Sequence, residues 1–366
     1  MSDKNRHTLA DNLNITWTIA SKDVVDALRN KVVVSMIIML SIILLVPKML
    51  PLIFEQSQTV LPVYDMGNSS LVAELRNNPD ISVQGLRSEQ EFHTALCGAV
   101  YPLIGLRIPA DFDQLLAAEK QVEFQGYVCW SKRYQVSDLQ PILEEILSQS
   151  LGLPVTIHIE GNIVYPPSSG VLSLSLASIN SVLMILTMGI FLVPSLLFEE
   201  KETKTMQALL VSPASIGQVV IGKALAGSVY ILVTAVMIFA ISWADVVHWD
   251  MVMLFVIGGG IFSVAVGLVL GSFYEKQQDM VGWMTALLLL MVGAIIVKVL
   301  GVELPALVKN ILPWVPSVAL AEICRAAFSE AVPVTRVLNN LWIVLSVSLP
   351  LYAIVIWKVR RSDRSL

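Results

Sequence analysis

The sequence has 366 residues, 55% of them hydrophobic and 14% charged, with a mean hydropathy of +0.71; soluble domains are nearer ~45–50% apolar, so an ordinary soluble protein is excluded. A formal net charge of −5 supplies no basic stripe for nucleic acid. Three cysteines without a C-x-x-C pair, and four scattered histidines, give no metal-ligand spacing.

In chain order, residues 1–31 form an amino-terminal segment. Within it Trp17, Ala20, Val24, Ala27 and Leu28 recur at helical spacing while Lys22, Asp26 and Arg29 face the other way, which predicts an interfacial amphipathic helix over 15–31. Residues 32–54 predict the first transmembrane helix, an apolar run to Val46 that continues past Pro47 with Lys48 snorkelling to the headgroups.

Residues 55–170 change character, because apolar runs shorten to strand length and alternate with helical patterns. Strands are predicted at 60–64, 81–85, 103–108, 122–128 and 155–159, and helices at 70–76, 89–96, 111–119 and 137–149. That alternation predicts an inserted α/β or α+β domain with its own core. Cys97 and Cys129 both fall in it. A disulfide between them would add ~3–4 kcal/mol by restricting the unfolded chain; two buried free thiols are the alternative.

Residues 171–366 carry five more predicted spans, at 171–198, 216–244, 251–273, 280–300 and 341–357. In the fourth span of the chain Gly259, Ser263, Gly267 and Gly271 repeat every fourth residue, a small-residue face for close helix packing. Between the fifth and sixth, residues 303–336 are broken by Pro305, Pro313, Pro316 and Pro333 and predict an outer re-entrant or interfacial segment. Leu320, Ile323 and Ala327 mark a short amphipathic helix there, with Glu322 and Arg325 paired three apart. The run from Gly217 to Ala224 approaches a phosphate-binding loop but ends in Ala224, without the hydroxyl that holds magnesium. Lys223 is expected to snorkel to the headgroups.

Lys and Arg in the short flanks place both termini, the Lys201/Lys204 tip and the Lys276 tip on one side, which the positive-inside rule makes the cytoplasm. The fold expected is therefore a polytopic α-helical membrane protein of the cell membrane, with six transmembrane helices, both termini cytoplasmic and the inserted domain extracytoplasmic.

Residues 199–214 lie between the second and third spans and are too charged for hydrocarbon. Met206, Leu209 and Leu210 fall on one helix face, and Pro213 ends the helix. The order Glu200-Lys201-Glu202, Thr205-Met206-Gln207, Leu209-Leu210, Ser212-Pro213, with Gly222-Lys223 and Leu225 downstream, resembles the coupling-helix segment of permeases of the type-2 ATP-binding-cassette exporter family. Lys204 and Gln207 depart from its commonest pattern. The resemblance implies that those ten residues from Glu200 to Pro213 contact a cytoplasmic ABC ATPase subunit, and that the chain pairs with a second permease copy or a homologous permease in the bilayer. It also implies that ATP is bound and hydrolysed on the partner, so that this chain holds no cofactor and no catalytic residue, and that efflux proceeds by alternating access. The rival reading is a membrane-anchored receptor or scaffold presenting the inserted domain.

Overall fold

Long apolar runs fold as helices in lipid because a helix satisfies its own N–H and C=O groups where no water can. The computed structural model describes residues 9–29, scattered positions between 34 and 45, 59–67, 69–76, 81–99, 103–110, 112–113, 122–167, 172–202, 216–274, 277–300, 305–330 and 332–363. Among the described residues five helices are long and apolar enough to cross a membrane: Leu174–Phe198, Gly217–Ile241, Trp249–Phe273, Gln278–Leu300 and Val334–Arg361. They correspond to the second to sixth expected spans; the first, 32–54, lies mostly outside the described residues.

Helix α1 (Leu9–Arg29) precedes a mixed sheet. Its strands are β1 (Thr59–Asp65), β2 (Ile81–Leu86), β3 (Ile104–Ile108), β4 (Val122–Cys129), β5 (Val155–His158) and β6 (Ile163–Val164), in the order β2-β1-β3-β4-β5 with β6 also on β4. β1 runs parallel to β2 and β3, β4 turns antiparallel to β3, and β5 and β6 run parallel to β4. Helices α2 (Ser70–Leu75), α3 (Glu89–Gly98) and α4 (Gln140–Leu151) cover the two faces. Strand side chains alternate between faces: Leu61 and Val63 enter one core with Leu71, Leu75, Leu143 and Leu147. Val60 and Tyr64 pack on the other, with Phe92 and Leu96 of α3. Two residues end this layer helix cleanly, Ser88 accepting from the Glu91 N–H and Glu91 accepting from the Arg87 N–H. The predicted helix at 111–119 lies largely outside the described residues, and β6 is too short for period-two alternation to be read in sequence.

The membrane helices follow. α5 (Leu172–Thr187) runs through a π turn (Met188–Leu192) into α6 (Val193–Glu202), and then come α7 (Ile216–Ile241), α8 (Trp249–Phe273) and α9 (Gln277–Leu300). α10 (Ala306–Ile311) and α11 (Pro316–Phe328) make a pair bent by 67°. α12 (Val334–Asp363) completes the bundle, starting seven residues earlier than the predicted span. With 26 residues, α7 is about 39 Å long. α1 lies against its first turns and the sheet domain touches the loop beyond its last, so the two occupy opposite ends of the bundle.

Two expectations are made more specific here. The segment expected to be re-entrant or interfacial holds the bent pair of α10 and α11, and α11 is covered on more than one amphipathic stripe: Ser317 to Ala321, Ile323, Cys324 and Ala326 to Phe328 are all buried, between α5, α8, α9 and α12. Its small side chains let four helices close around it, so the apolar stripe widens to almost the whole circumference. On α1, Ala20 and Val24 of the expected apolar face do pack against the bundle, but Trp17 is 66% exposed while Thr16 and Asp23 are buried; the packed face is rotated toward these polar residues.

Candidate functional site

The polar segment between α6 and α7 is set by what flanks it. α6 carries helical backbone through Glu200, Lys201 and Glu202, and α7 resumes at Ile216. Thr205, Met206, Gln207, Leu209, Leu210, Ser212 and Pro213 lie outside the described residues.

Beside that segment, α1 is clamped to α7. Lys223 is 1% exposed and its Nζ donates to Asp23 Oδ2 at 3.1 Å. About two turns further on, Tyr230 donates its hydroxyl to the Val24 carbonyl. Gly222 makes the approach close: a Cβ there would stand 2.8 Å from Ile19 Cγ2 and 3.3 Å from the Thr16 carbonyl oxygen. Lys223 therefore does not snorkel. Burial without a partner would be costly for an ammonium, and Asp23 supplies one. The run from Gly217 to Ala224 is uninterrupted helix, with no loop to cradle a phosphate. Sequence reasoning passed over Asp23; the signal was a single cation inside an apolar helix, which asks for an acid, and Asp23 lies seven residues from Thr16 on one face.

The small-residue face of α8 meets the rod formed by α5, the π turn and α6. A Cβ on Gly189 would lie 2.3 Å from Ser263 Cβ, and one on Gly267 would lie 2.3 Å from the Gly189 carbonyl oxygen. Gly271 sits against Leu197 and Pro194, and Gly259 against Ile185. Between helices in lipid the drive is close packing rather than burial from water, and these contacts require bare Cα atoms. The face is thus spent within this chain. It coincides with the π turn, which re-aims the backbone of 188–192 against α8.

At the opposite end, the sheet domain is held to the bundle by a cluster immediately after β4. Cys97 and Cys129 are joined, with an S–S distance of 2.07 Å, and Cys129 precedes Trp130. The Trp130 indole donates to the Val246 carbonyl at 3.1 Å and stacks on Tyr165 at 5.2 Å. Arg133 lies 3.6 Å over the Trp130 ring and donates to the Ala244 carbonyl at 2.9 Å. The Val247 and His248 N–H groups both donate to the Ala327 carbonyl, at 2.9 and 3.0 Å, and the Glu330 N–H donates to the Pro166 carbonyl at 2.8 Å. α11 in turn is tied to α9 by Ser317 Oγ donating to the Met291 carbonyl at 2.8 Å. Glu322 meets Arg325 at 4.0 Å as the spacing suggested, and meets Lys298 of α9 more closely, at 3.3 Å.

Comparison with known proteins adds the following. Residues 32–358 match the family described as ABC-2 family transporter protein. The chain is 26% identical over 359 residues to the protein called probable multidrug ABC transporter permease YbhR in Escherichia coli K12, covering 91% of this chain and 94% of the relative. The same figures hold for its counterpart in Escherichia coli O157:H7.

Proposed function

This chain belongs to the ABC-2 family of transporter proteins, and on that premise we propose that it is the permease subunit of an ATP-driven exporter whose ATPase is a separate cytoplasmic protein. Residues 199–214 are the coupling segment, a second permease copy or homologous permease completes the pore, and alternating access moves the substrate outward. The relatives are named as probable multidrug ABC transporter permeases, and a drug is the substrate class we assign on that ground.

The observation that carries this reading is where the polar segment is anchored. It joins α6, which reaches α8 through bare glycine contacts, to α7, which carries α1 on a buried ion pair. A push on the segment is therefore delivered to rigid parts of the bundle. The basic residues support its cytoplasmic placement, since Lys358 at the end of α12 lies 3.8 Å over the Phe273 ring at the end of α8. That brings Lys358, Arg360 and Arg361 to the same end as α1 and Lys201. The sheet domain is then extracytoplasmic.

The test is Leu209→Asp in the full chain co-produced with its ATPase. Burying a leucine is worth ~1.5–3 kcal/mol, and an unpaired carboxylate in the contact adds to the loss. ATPase association should fall more than about tenfold and export should stop, with insertion and thermal stability unchanged. Gln207→Ala, off the apolar face, should be mild. Full ATPase binding and export by Leu209→Asp would reduce the segment to a loop and favour the receptor reading.

A further inference from the structure

Among the described residues, two buried side-chain polar atoms have no hydrogen-bond partner, Arg325 Nε and Ser329 Oγ, and both belong to one small cleft. Its walls come from the end of α11 and the start of α12, with Glu322, Arg336 and Asn340 as the other polar members and Ala326, Val332 and Val337 as the apolar ones. Buried polar groups are nearly always satisfied, and both orphans belong to side chains that line the same cleft, which points to a ligand there.

The charges specify which kind. Glu322 is already engaged by Lys298 at 3.3 Å and approached by Arg325 at 4.0 Å. Arg336 is exposed, at the mouth, and Asn340 is one turn along α12 from it. Lys298 and Arg325 thus already outnumber the Glu322 carboxylate, and Arg336 adds a further cation to the cleft wall. The C-terminal dipole of α11 and the N-terminal dipole of α12 point at the cleft with opposite signs and largely offset one another, which leaves the side chains to set the potential. Arg325 Nε, Arg336, Asn340 and the Ser329 hydroxyl are all donors, and forked guanidinium groups suit oxyanions.

Size and depth narrow it further. The cleft holds about 20 Å³, room for a water-sized group, so the terminal oxygens of an anion enter while the body stays outside. It lies where α11 meets the loop at 247–248 and where Glu330 binds Pro166, the level at which the chain leaves the apolar bundle for the sheet domain. That is headgroup depth.

We infer that this cleft binds a phosphate oxyanion at the sheet-domain end of the bundle, through Arg325, Ser329, Arg336 and Asn340. The phosphate comes either from an anionic phospholipid or from solution. The site needs neither an ATPase nor a transported substrate, so it stands independently of the export reading.

The experiment uses the full chain in two arms. In the first, protein in phosphatidylcholine nanodiscs with or without phosphatidylglycerol is stripped in detergent and retained lipid is counted by native mass spectrometry. In the second, inorganic phosphate is titrated against thermal unfolding in detergent. Arg336→Gln should weaken binding roughly ten- to a hundredfold, the loss expected of a charged hydrogen bond. Ser329→Ala should weaken it several-fold with Tm unchanged, and Lys309→Gln, an exposed cation of α10 outside the cleft, should have no effect. Retention of phosphatidylglycerol without a phosphate-dependent Tm shift identifies the lipid source; a Tm shift without lipid retention identifies the free anion. The inference is overturned if Arg336→Gln and Ser329→Ala bind as wild type, if Lys309→Gln weakens binding equally, or if neither probe binds and water alone fills the cleft.

Discussion

The buried pair between Asp23 and Lys223 makes the sharpest demand on the physics. Lys223 is 1% exposed, the Asp23 side chain 10%, and the two meet at 3.1 Å. Removing one partner leaves the other charge buried without compensation, which costs about 3–5 kcal/mol, whereas replacing both by apolar groups is often neutral. Lys223→Met and Asp23→Asn should therefore each release α1 from α7, while Asp23→Leu combined with Lys223→Met should hold it. Ala20, 3% exposed on the packed face of α1, gives the readout. A cysteine there is reached by a maleimide only when α1 detaches, and the native background is low, since Cys97 and Cys129 are bridged and Cys324 is buried. In either single variant, labelling should accelerate by roughly a hundred- to a few-thousandfold, the loss of protection that ~3–5 kcal/mol implies; in the double variant it should stay within a few-fold of the parent. Equal acceleration in the double variant would mean that side-chain volume, not charge pairing, holds the helix. No acceleration in the single variants would refute the pair as an anchor.

Gly267→Ala should destabilise the bundle by about 1–3 kcal/mol or more, because the new methyl meets a backbone oxygen that cannot give way; that oxygen is 2.3 Å from the Cβ position. Gly282→Ala and Gly293→Ala in α9, where nothing lies within 4 Å, should be neutral or add up to ~1 kcal/mol, and unfolding curves of the three variants in one detergent compare them directly. Replacing Cys97 and Cys129 together should cost the sheet domain roughly 3–4 kcal/mol for a loop closed over a separation of 32 residues. Protease cleavage inside 59–165 should speed up accordingly, and an unchanged cleavage rate would show that the bridge contributes nothing.

Five of the strands and the later spans were legible because each is a local pattern: Leu61 and Val63 alternate, and Gly259 to Gly271 repeat every fourth residue. What is not local could not be read. Lys223 near the start of a span looks the same whether it reaches headgroups or a carboxylate 200 residues earlier, and periodicity carries no information on the distant partner. α11 misled for a related reason. Glu322 and Arg325 lend its sequence a polar side, yet that side is closed by Lys298 from α9 and by the start of α12. Trp17 shows the limit of hydrophobicity as a guide in lipid, where an exposed indole is at home in the interface and a buried face can be built from Thr16, Ala20 and Asp23.

The three kinds of anchoring differ in how they respond to force, and that difference bears on how the proposed machine would work. The α1 end is held by one buried charge pair and the Tyr230 hydroxyl, directional contacts that break once separated. The sheet-domain end is held by main-chain carbonyls of residues 244 and 246, in a loop whose Val247 and His248 N–H groups are bound in turn to the Ala327 carbonyl, so it tracks the backbone of that loop. Between them, α6 and the π turn touch α8 at Gly189, Gly267 and Gly271, closest at Gly267, which meets the Gly189 carbonyl oxygen directly. Packed contacts of that kind transmit displacement instead of deforming. A movement imposed on residues 203–215 would therefore reach α8 through the glycine contacts. It would reach the sheet domain through the loop that α8 shares with α7, making the loop between Ser242 and His248 the place where bundle motion becomes domain motion.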